Sequence, residues 1–291
     1  MNTSQTSAQT ERPAAASGTF VIGGDMPVHR LGFGAMRITG PGIWGEPADH
    51  DEVIAVLKTA IDLGITIIDT ADSYGPDVSE RLIAEALYPY PSDLVIATKA
   101  GLVRGGPSRW ETDGRPEHLR SAFEGSLRRL RLERIDLMQL HAVDDDVPFP
   151  EQIGTLVELQ REGKIRHIGL SNVTLEQLEI ARGMATIVSV QNRYNLADRE
   201  QEPMLDYCSQ EKIAFIPWFP LATGDLAKPG GELAHIAERL GALPAQVALA
   251  WLLAKSPVML PIPGTSRVQH LKENVDAAKL KLTDADMLAL G

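Results

Sequence analysis

The chain has 291 residues, 28 Lys and Arg against 39 Asp and Glu for a net charge of −11, 44% hydrophobic residues and one cysteine. A chain of this length buries roughly three quarters of the surface it exposes when unfolded, and this composition excludes the disordered and fibrous classes. The acidic balance, with no basic block longer than Arg128-Arg129 and nearby Arg131, argues against a nucleic-acid partner. No run reaches the roughly 18 apolar residues of a membrane span, and the lone Cys208 reads as a small buried hydrophobe in a reducing, cytoplasmic setting.

Residues 1–18 are rich in Ser, Thr, Gln and Ala. They read as a disordered tail, neither a signal peptide nor a membrane span. No linker divides the remainder of the chain, so residues 19–291 are expected to form one domain. Thr19 to Ile22 and Met26 to Arg30 flank Gly23-Gly24-Asp25 and predict a β-hairpin suited to plugging one end of a barrel. Eight strand-like runs come next: Leu31 to Ala35, Ile65 to Asp69, Leu94 to Thr98, Ile135 to Leu140, Ile165 to Leu170, Ile187 to Val190, Ile213 to Pro217 and Val258 to Ile262. Most are continuously apolar, which marks parallel strands covered on both faces.

Helical periods separate these runs. Val53, Ile54, Leu57, Ala60 and Ile61 share one face, and Leu82, Ile83, Ala86 and Leu87 repeat the pattern after a candidate N-cap at Ser79. Thr174 and Gln177 make a capping-box pattern, while Gly163 and Gly241 close helices where a left-handed residue is wanted. Eight β/α units over about 260 residues match the roughly 250 of a (β/α)8 barrel. A doubly wound sheet is the alternative. Its dinucleotide fingerprint fails here, because Gly32-Phe33-Gly34-Ala35-Met36-Arg37 lacks the third glycine and the helix start. The expected fold is therefore α/β, a (β/α)8 TIM barrel with an N-terminal β-hairpin.

Such a barrel builds its site at the carboxyl ends of its strands. There the second strand ends in Asp69 with Tyr74 five residues on, the third runs to Lys99 and the fourth to His141. The fifth ends in Ser171-Asn172 and the sixth in Gln191-Asn192; the last two run into Trp218-Phe219-Pro220-Leu221 and Pro263-Gly264-Thr265-Ser266-Arg267. Singly, a Tyr packs, a Lys is solvated and a His hydrogen-bonds in the core. Brought to one mouth they form a proton-transfer set. A buried Lys⁺ stabilises tyrosinate and lowers the Tyr pKa, and an Asp keeps the Lys charged and aimed.

The stretch Gly64-Ile65-Thr66-Ile67-Ile68-Asp69-Thr70-Ala71-Asp72-Ser73-Tyr74-Gly75, followed by Ser79-Glu80, resembles the most specific signature of the aldo-keto reductases. The resemblance runs from Leu31 to the C-terminus and includes Leu127-Arg128-Arg129-Leu130, Gly163-Lys164-Ile165-Arg166, Gly169-Leu170-Ser171-Asn172 and Ile262-Pro263-Gly264-Thr265. Within the family, Gly34-Ala35-Met36, Gly40-Pro41-Gly42 and Leu87-Tyr88-Pro89-Tyr90 are similar to segments of the bacterial pyridoxal reductase type. The resemblance implies NADPH-dependent carbonyl reduction, with Tyr74 as general acid, Lys99 and Asp69 as its tuners, and His141 orienting the carbonyl. It also implies that Ser171, Asn172 and Gln191 hold the carboxamide, Trp218 stacks on the nicotinamide, and Leu221 and Gly224 lie along the pyrophosphate. Gly264, Thr265, Ser266 and Arg267, with His270, Glu273 and Asn274 on the next helix, would take the adenosine end, where a helix N-terminus favours phosphate.

Some positions depart from the family pattern. Gly264 and His270 stand where many members carry Lys and Arg for the 2′-phosphate, which leaves Arg267 as the nearest strong cation. Phe219 replaces the usual Ser before Pro-Leu, and Ala84 a common Gly. The sequence stops at Gly291 soon after its last helical period, so an open pocket without a long C-terminal loop is expected. Trp44, Trp110 and Trp218 fall near the mouth and suit a flat aldehyde such as pyridoxal, although the first two would equally pack their own loops. No metal site is expected, since no His pair stands at i+3 or i+4 and Cys208 is single. No G-x-S-x-G, Walker-type loop or Tyr-x-x-x-Lys occurs. The expected partner is a small carbonyl substrate bound by a monomer or weak homo-oligomer. A cofactor-sensing regulatory subunit and a Lys99 Schiff-base barrel are the alternative functions.

Overall fold

In the computed structural model, residues 12–221 and 231–291 are described. A hairpin of β1 (Thr19–Ile22) and β2 (Met26–His29) leads into β3 (Phe33–Gly34), α1 (His50–Asp62), β4 (Ile67–Asp69), α2 (Val78–Leu87) and β5 (Val95–Ala100). A second hairpin, β6 (Leu102–Gly106) and β7 (Arg109–Thr112), interrupts the alternation before α3 (Pro116–Leu130). Then come β8 (Ile135–Leu140), α4 (Phe149–Arg161), β9 (Ile165–Ser171), α5 (Leu175–Arg182), β10 (Ile187–Gln191), α6 (Glu202–Glu211) and β11 (Ala214–Phe215). Helices α7 (Glu232–Leu240), α8 (Pro244–Lys255), α9 (Val268–Asp276) and α10 (Asp284–Leu290) complete the chain.

Seven parallel strands pair in the order β11-β10-β9-β8-β5-β4-β3. Residues 258–263 close the ring. Phe215 N–H donates to Val258 O at 2.9 Å and Leu260 N–H to Phe215 O at 2.8 Å, while Gly32 and Gly34 donate to Pro261 O and Pro263 O at 2.9 and 3.4 Å. The eighth run thus sits where a barrel needs it, yet makes a single bridge, Phe215 with Met259, rather than a strand. Pro257, Pro261 and Pro263 have no N–H to give a ladder. The alternation of apolar runs and helical periods does specify a (β/α)8 barrel.

Helices cover the outside of the sheet through two apolar clusters. α8 is buried almost all round, from Val247 to Leu253, as its continuous apolar sequence requires. A third cluster fills the barrel interior, where Ile22, Met26 and Val28 of the hairpin meet Ile67, Val95, Ala97, Leu137 and Leu260. The hairpin therefore plugs the end away from the strand C-termini. Among the described residues no single helix is long and apolar enough to cross a membrane.

Two expectations are corrected. The composition of residues 1–18 predicts a tail, but Pro13–Ser17 forms a short 3-10 helix with Ala14 and Ser17 buried. Ala14 N–H donates to Leu63 O at 3.0 Å, Ser17 Oγ accepts from Leu31 N–H at 3.0 Å, and Arg30 Nε donates to Ser17 O at 2.8 Å. Residues 1–11 lie outside the described part. Ser79 does not cap α2: its hydroxyl donates to Ala35 O at 3.1 Å and accepts from Thr70 Oγ1 at 2.8 Å. The capping box at Thr174 and Gln177 and the positive-φ glycines Gly163 and Gly241 occur as expected.

Candidate active site

Strand residues two apart share a face, so the interior positions Ile67, Ala97 and Leu137 are followed on the same face by Asp69, Lys99 and Gln139. That register, set by packing at the plugged end, delivers three polar side chains to the open end. The turn after β4 brings in Tyr74. Thr70 and Asp72 continue the pairing with Ala97 O and Lys99 O, Tyr74 N–H closes on Ala71 O, and Ser79 holds the turn from below. His141 follows β8 directly.

Lys99 is fully buried and all three of its donors are used. Nζ lies 2.7 Å from Asp69 Oδ2, 2.9 Å from Thr70 O and 3.1 Å from the Tyr74 hydroxyl. The other carboxylate oxygen, Asp69 Oδ1, accepts from Gln139 Nε2 at 3.1 Å and Gln191 Nε2 at 2.9 Å. Burial opposes the charge on Lys99, but attraction and hydrogen bonds from Asp69 and Tyr74 outweigh it and raise its pKa. Tyr74 departs from the expected lowering. Lys99 does pull its pKa down, yet burial of the phenol pushes up by more, so the group ends above its ordinary value and stays protonated. His141 is held well below the usual imidazole range by burial first and then by the charges of Lys99 and Arg104. Its ring is neutral at pH 7, with Nδ1 3.3 Å from Ser73 Oγ and its plane edge-on to Tyr74, centroids 5.7 Å apart.

Asp69, Tyr74 and His141 line a cavity of about 600 Å³, and Lys99 is buried behind them. The rest of its lining comes from Ile43, Leu102 and Trp110, from Ser171, Asn172, Gln191 and Trp218 to Leu221, and from Gly34, Met36, Arg37 and Ile262 to Gly264. Asn172, at φ +56°, gives Nδ2 to His141 O at 2.9 Å and to Ser171 Oγ at 3.1 Å, and its Oδ1 accepts from Trp218 Nε1 at 2.9 Å. The indole is thereby fixed along the cavity wall. A Cβ on Gly264 would lie 2.5 Å from Gly34 O, so the barrel seam leaves no room for the Lys of other members. Ser266, Arg267 and His270 are exposed at the start of α9; Thr265, whose Oγ1 accepts the Arg267 N–H at 3.1 Å, and Asn274 are buried. Glu273 accepts from Gln269 Nε2 at 2.9 Å. Gly224 lies outside the described residues. Trp44, unlike Trp110 and Trp218, does not line the cavity.

The model of the "Aldo/keto reductase family" matches residues 30–290. The chain is 52% identical over 280 residues to an uncharacterized oxidoreductase of Schizosaccharomyces pombe, covering 96% of this chain and 91% of that one. It is 45% identical over 275 residues to pyridoxine 4-dehydrogenase of Escherichia coli, covering 92% and 96%. Among solved structures it is similar to an aldo/keto reductase from Klebsiella pneumoniae in complex with NADP and acetate, with a TM-score of 0.79 and 26% identity over 94% of this chain and 93% of that one. The chain belongs to the aldo/keto reductase family.

In this reductase the structure brings Asp69, Tyr74, Lys99 and His141 together, with Ser171, Asn172, Gln191, Trp218, Leu221 and Gly264 around the same cavity. Thr265, Ser266, Arg267, His270, Glu273 and Asn274 lie beyond its rim, at and after the N-terminus of α9. Three neighbours escaped the sequence reading. Gln139 was visible as a polar residue in a buried apolar strand. Arg104 and Glu52 carried no local signal; Glu52 Oε1 accepts the Val268 N–H at the start of α9, 2.9 Å away and 216 residues on.

Proposed function

We propose that this enzyme reduces the carbonyl of a small aldehyde, pyridoxal among them, with NADPH as cofactor and Tyr74 as the proton donor. The observation that carries the reading is Lys99 Nζ, held 2.7 Å from Asp69 and 3.1 Å from the Tyr74 hydroxyl beneath a cavity that His141 shares. The Klebsiella pneumoniae neighbour holds NADP and the Escherichia coli relative is a pyridoxine 4-dehydrogenase, and both support this choice of cofactor and substrate class.

The residues present suit the cofactor. Gly34, Gly264 and the Trp218 indole, fixed by Asn172, line the cavity beside the polar side chains of Ser171, Asn172 and Gln191. Ser171, Asn172 and Gln191 would hold the carboxamide, Trp218 the ring face, Leu221 and Gly224 the pyrophosphate, and Thr265 to Arg267 with His270, Glu273 and Asn274 the adenosine end. When bound, NADPH supplies a hydride to the carbonyl carbon.

The chain's own groups govern the oxygen. In this reading Ser73 Oγ–H, 3.3 Å from Nδ1, would donate to it, so that neutral His141 would carry its proton on Nε2 and donate toward the cavity. Tyr74 donates beside it. As charge develops on the oxygen, the Tyr74 proton transfers, and the phenolate left behind is stabilised by Lys99, which Asp69 keeps charged. A raised Tyr74 pKa suits this order of events, since the proton is retained until a stronger base forms. The same groups serve alcohol oxidation in reverse. Residues 19–291, together with the Pro13–Ser17 segment packed on them, would act as one domain, as a monomer or weak homo-oligomer in the cytoplasm, where the single buried Cys208 needs no partner.

The test is multiple-turnover NADPH oxidation with pyridoxal, benzaldehyde, an aliphatic aldehyde and a ketosteroid. The aromatic aldehydes should show the highest kcat/KM. NADPH binding without turnover of any of them would replace the enzyme with a cofactor-sensing subunit.

A further inference from the structure

Arg104 lies on β6, and every N–H of its guanidinium is used. Nε donates to Arg109 O at 2.9 Å, Nη1 to Ile43 O and Ser73 O at 2.7 and 3.1 Å, and Nη2 to Gly42 O and Gly106 O at 2.9 and 3.3 Å. The acceptors are neutral carbonyls from three segments: the connection after β3, the turn after β4, and the β6–β7 hairpin. The guanidinium also lies over Trp110, 3.7 Å from the ring centroid, and 5.8 Å from that of Trp44. Trp110 in turn stands edge-on to Tyr74 at 6.3 Å and to His141 at 6.2 Å and lines the cavity.

We propose that Arg104 is a positioning residue that fixes Trp110 as the wall of the substrate site and thereby sets a preference for flat aromatic carbonyl compounds. This rests on the reductase reading above and adds its substrate selectivity. An isolated two-stranded hairpin is marginal in water, and this one has an irregular register between Val103 and Gly106. Hydrogen bonds tie it to the barrel mouth through Arg104 and through Ser108 N–H donating to Gly42 O at 3.0 Å. A planar five-donor fork is needed, because a Lys has three donors and no flat face to lay on an indole. An aromatic substrate meets Trp110 ring to ring and depends on its placement; a short aliphatic aldehyde reaches Tyr74 and His141 without that contact.

The test compares R104Q, R104K, W110A and R104Q/W110A with benzaldehyde and propanal, with NADPH affinity measured by tryptophan fluorescence as a control. An aromatic contact of this kind corresponds to about a twofold to tenfold change in affinity. At pH 8, where His141 is neutral with or without the Arg104 charge, the KM for benzaldehyde in R104Q and R104K should rise by about that factor while KM for propanal, kcat and NADPH affinity stay near the wild type. In the W110A background R104Q should add little further change, because the two residues act through one contact. An unchanged benzaldehyde KM, an equal rise for both aldehydes, or additive effects in the double variant would overturn the assignment. If R104Q does not purify, R104K decides it by the same split. Wild-type enzyme that turns over neither aldehyde defeats the reductase reading and this assignment with it; wild-type turnover with unmoved selectivity in the variants defeats the assignment alone.

Discussion

Tyr74→Phe removes one oxygen from a ring that stays seated between Trp110 and His141. Two things are lost: a transferable proton, and one of three acceptors of Lys99 Nζ, with Asp69 Oδ2 and Thr70 O remaining at 2.7 and 2.9 Å. An unmet buried donor costs about 1–3 kcal/mol. Here the hydroxyl borders a cavity of about 600 Å³, where a water can take its place, so the stability loss should fall near the low end, about 1 kcal/mol. The catalytic loss is larger. General acid catalysis contributes about 100-fold to 10,000-fold, equivalent to about 2.7–5.4 kcal/mol in the transition state. The variant should therefore lose at least about 100-fold in kcat while melting within a few degrees of wild type and binding NADPH unchanged. Steady-state NADPH absorbance, thermal unfolding and fluorescence titration read the three quantities. Near-normal turnover would remove Tyr74 from the proton-donor role; a rate loss accompanied by equal loss of cofactor affinity would make its part structural instead.

Arg267→Ala should weaken NADPH binding about tenfold or more and leave NADH binding nearly unchanged, since a charge-assisted phosphate contact is worth about 1.5–3 kcal/mol; equal losses for both cofactors would place Arg267 on their shared part. The acid limb of kcat/KM should lie well below pH 6.5, because burial and the Lys99 and Arg104 charges keep His141 neutral there. The same depressed pKa makes the His141 contribution to stability fully present above the unfolded value and lost as pH falls below it, which pH-dependent urea unfolding would show. Gly23→Ala should destabilise by about 1–3 kcal/mol or more without changing kcat: its φ is +63°, and a Cβ would lie 2.4 Å from the His167 ring at the plugged end of the barrel. Thermal melts and turnover measured side by side check this.

The parts of the site that were legible in the sequence are those the strand register delivers. A continuously apolar run ending in Asp69, Lys99 or His141 announces both a buried parallel strand and the polar group at its open end, because the 2-residue alternation that fills the interior with Ile67, Ala97 and Leu137 also dictates which face the next residue takes. The eighth run passes where its apolar pattern puts it but forms no ladder, since its prolines change hydrogen bonding without changing where the chain must pass. The direction of the Tyr74 pKa was illegible for a different reason: burial and the Lys99 charge act with opposite signs, and only a structure says which is larger.

What the sequence hid is held by loops. Arg104 reaches partners from 2 to 62 residues away, and Glu52 caps a helix 216 residues downstream. The fixed segment Pro13–Ser17 has the composition of a free tail, and its order comes from Leu31, Leu63 and Arg30. The division has a functional consequence. Under the proposed mechanism proton chemistry would sit on the register-defined floor, where Asp69, Lys99 and His141 cannot shift without disturbing the barrel interior. Substrate choice, on the same proposal, would sit on the β6–β7 hairpin and the connection after β3, which Arg104 joins from outside the strand ladder. Selectivity should therefore change by substitution at Arg104 and Trp110 with the proton-transfer floor intact, whereas changes at Asp69 or Lys99 should abolish turnover for every carbonyl alike.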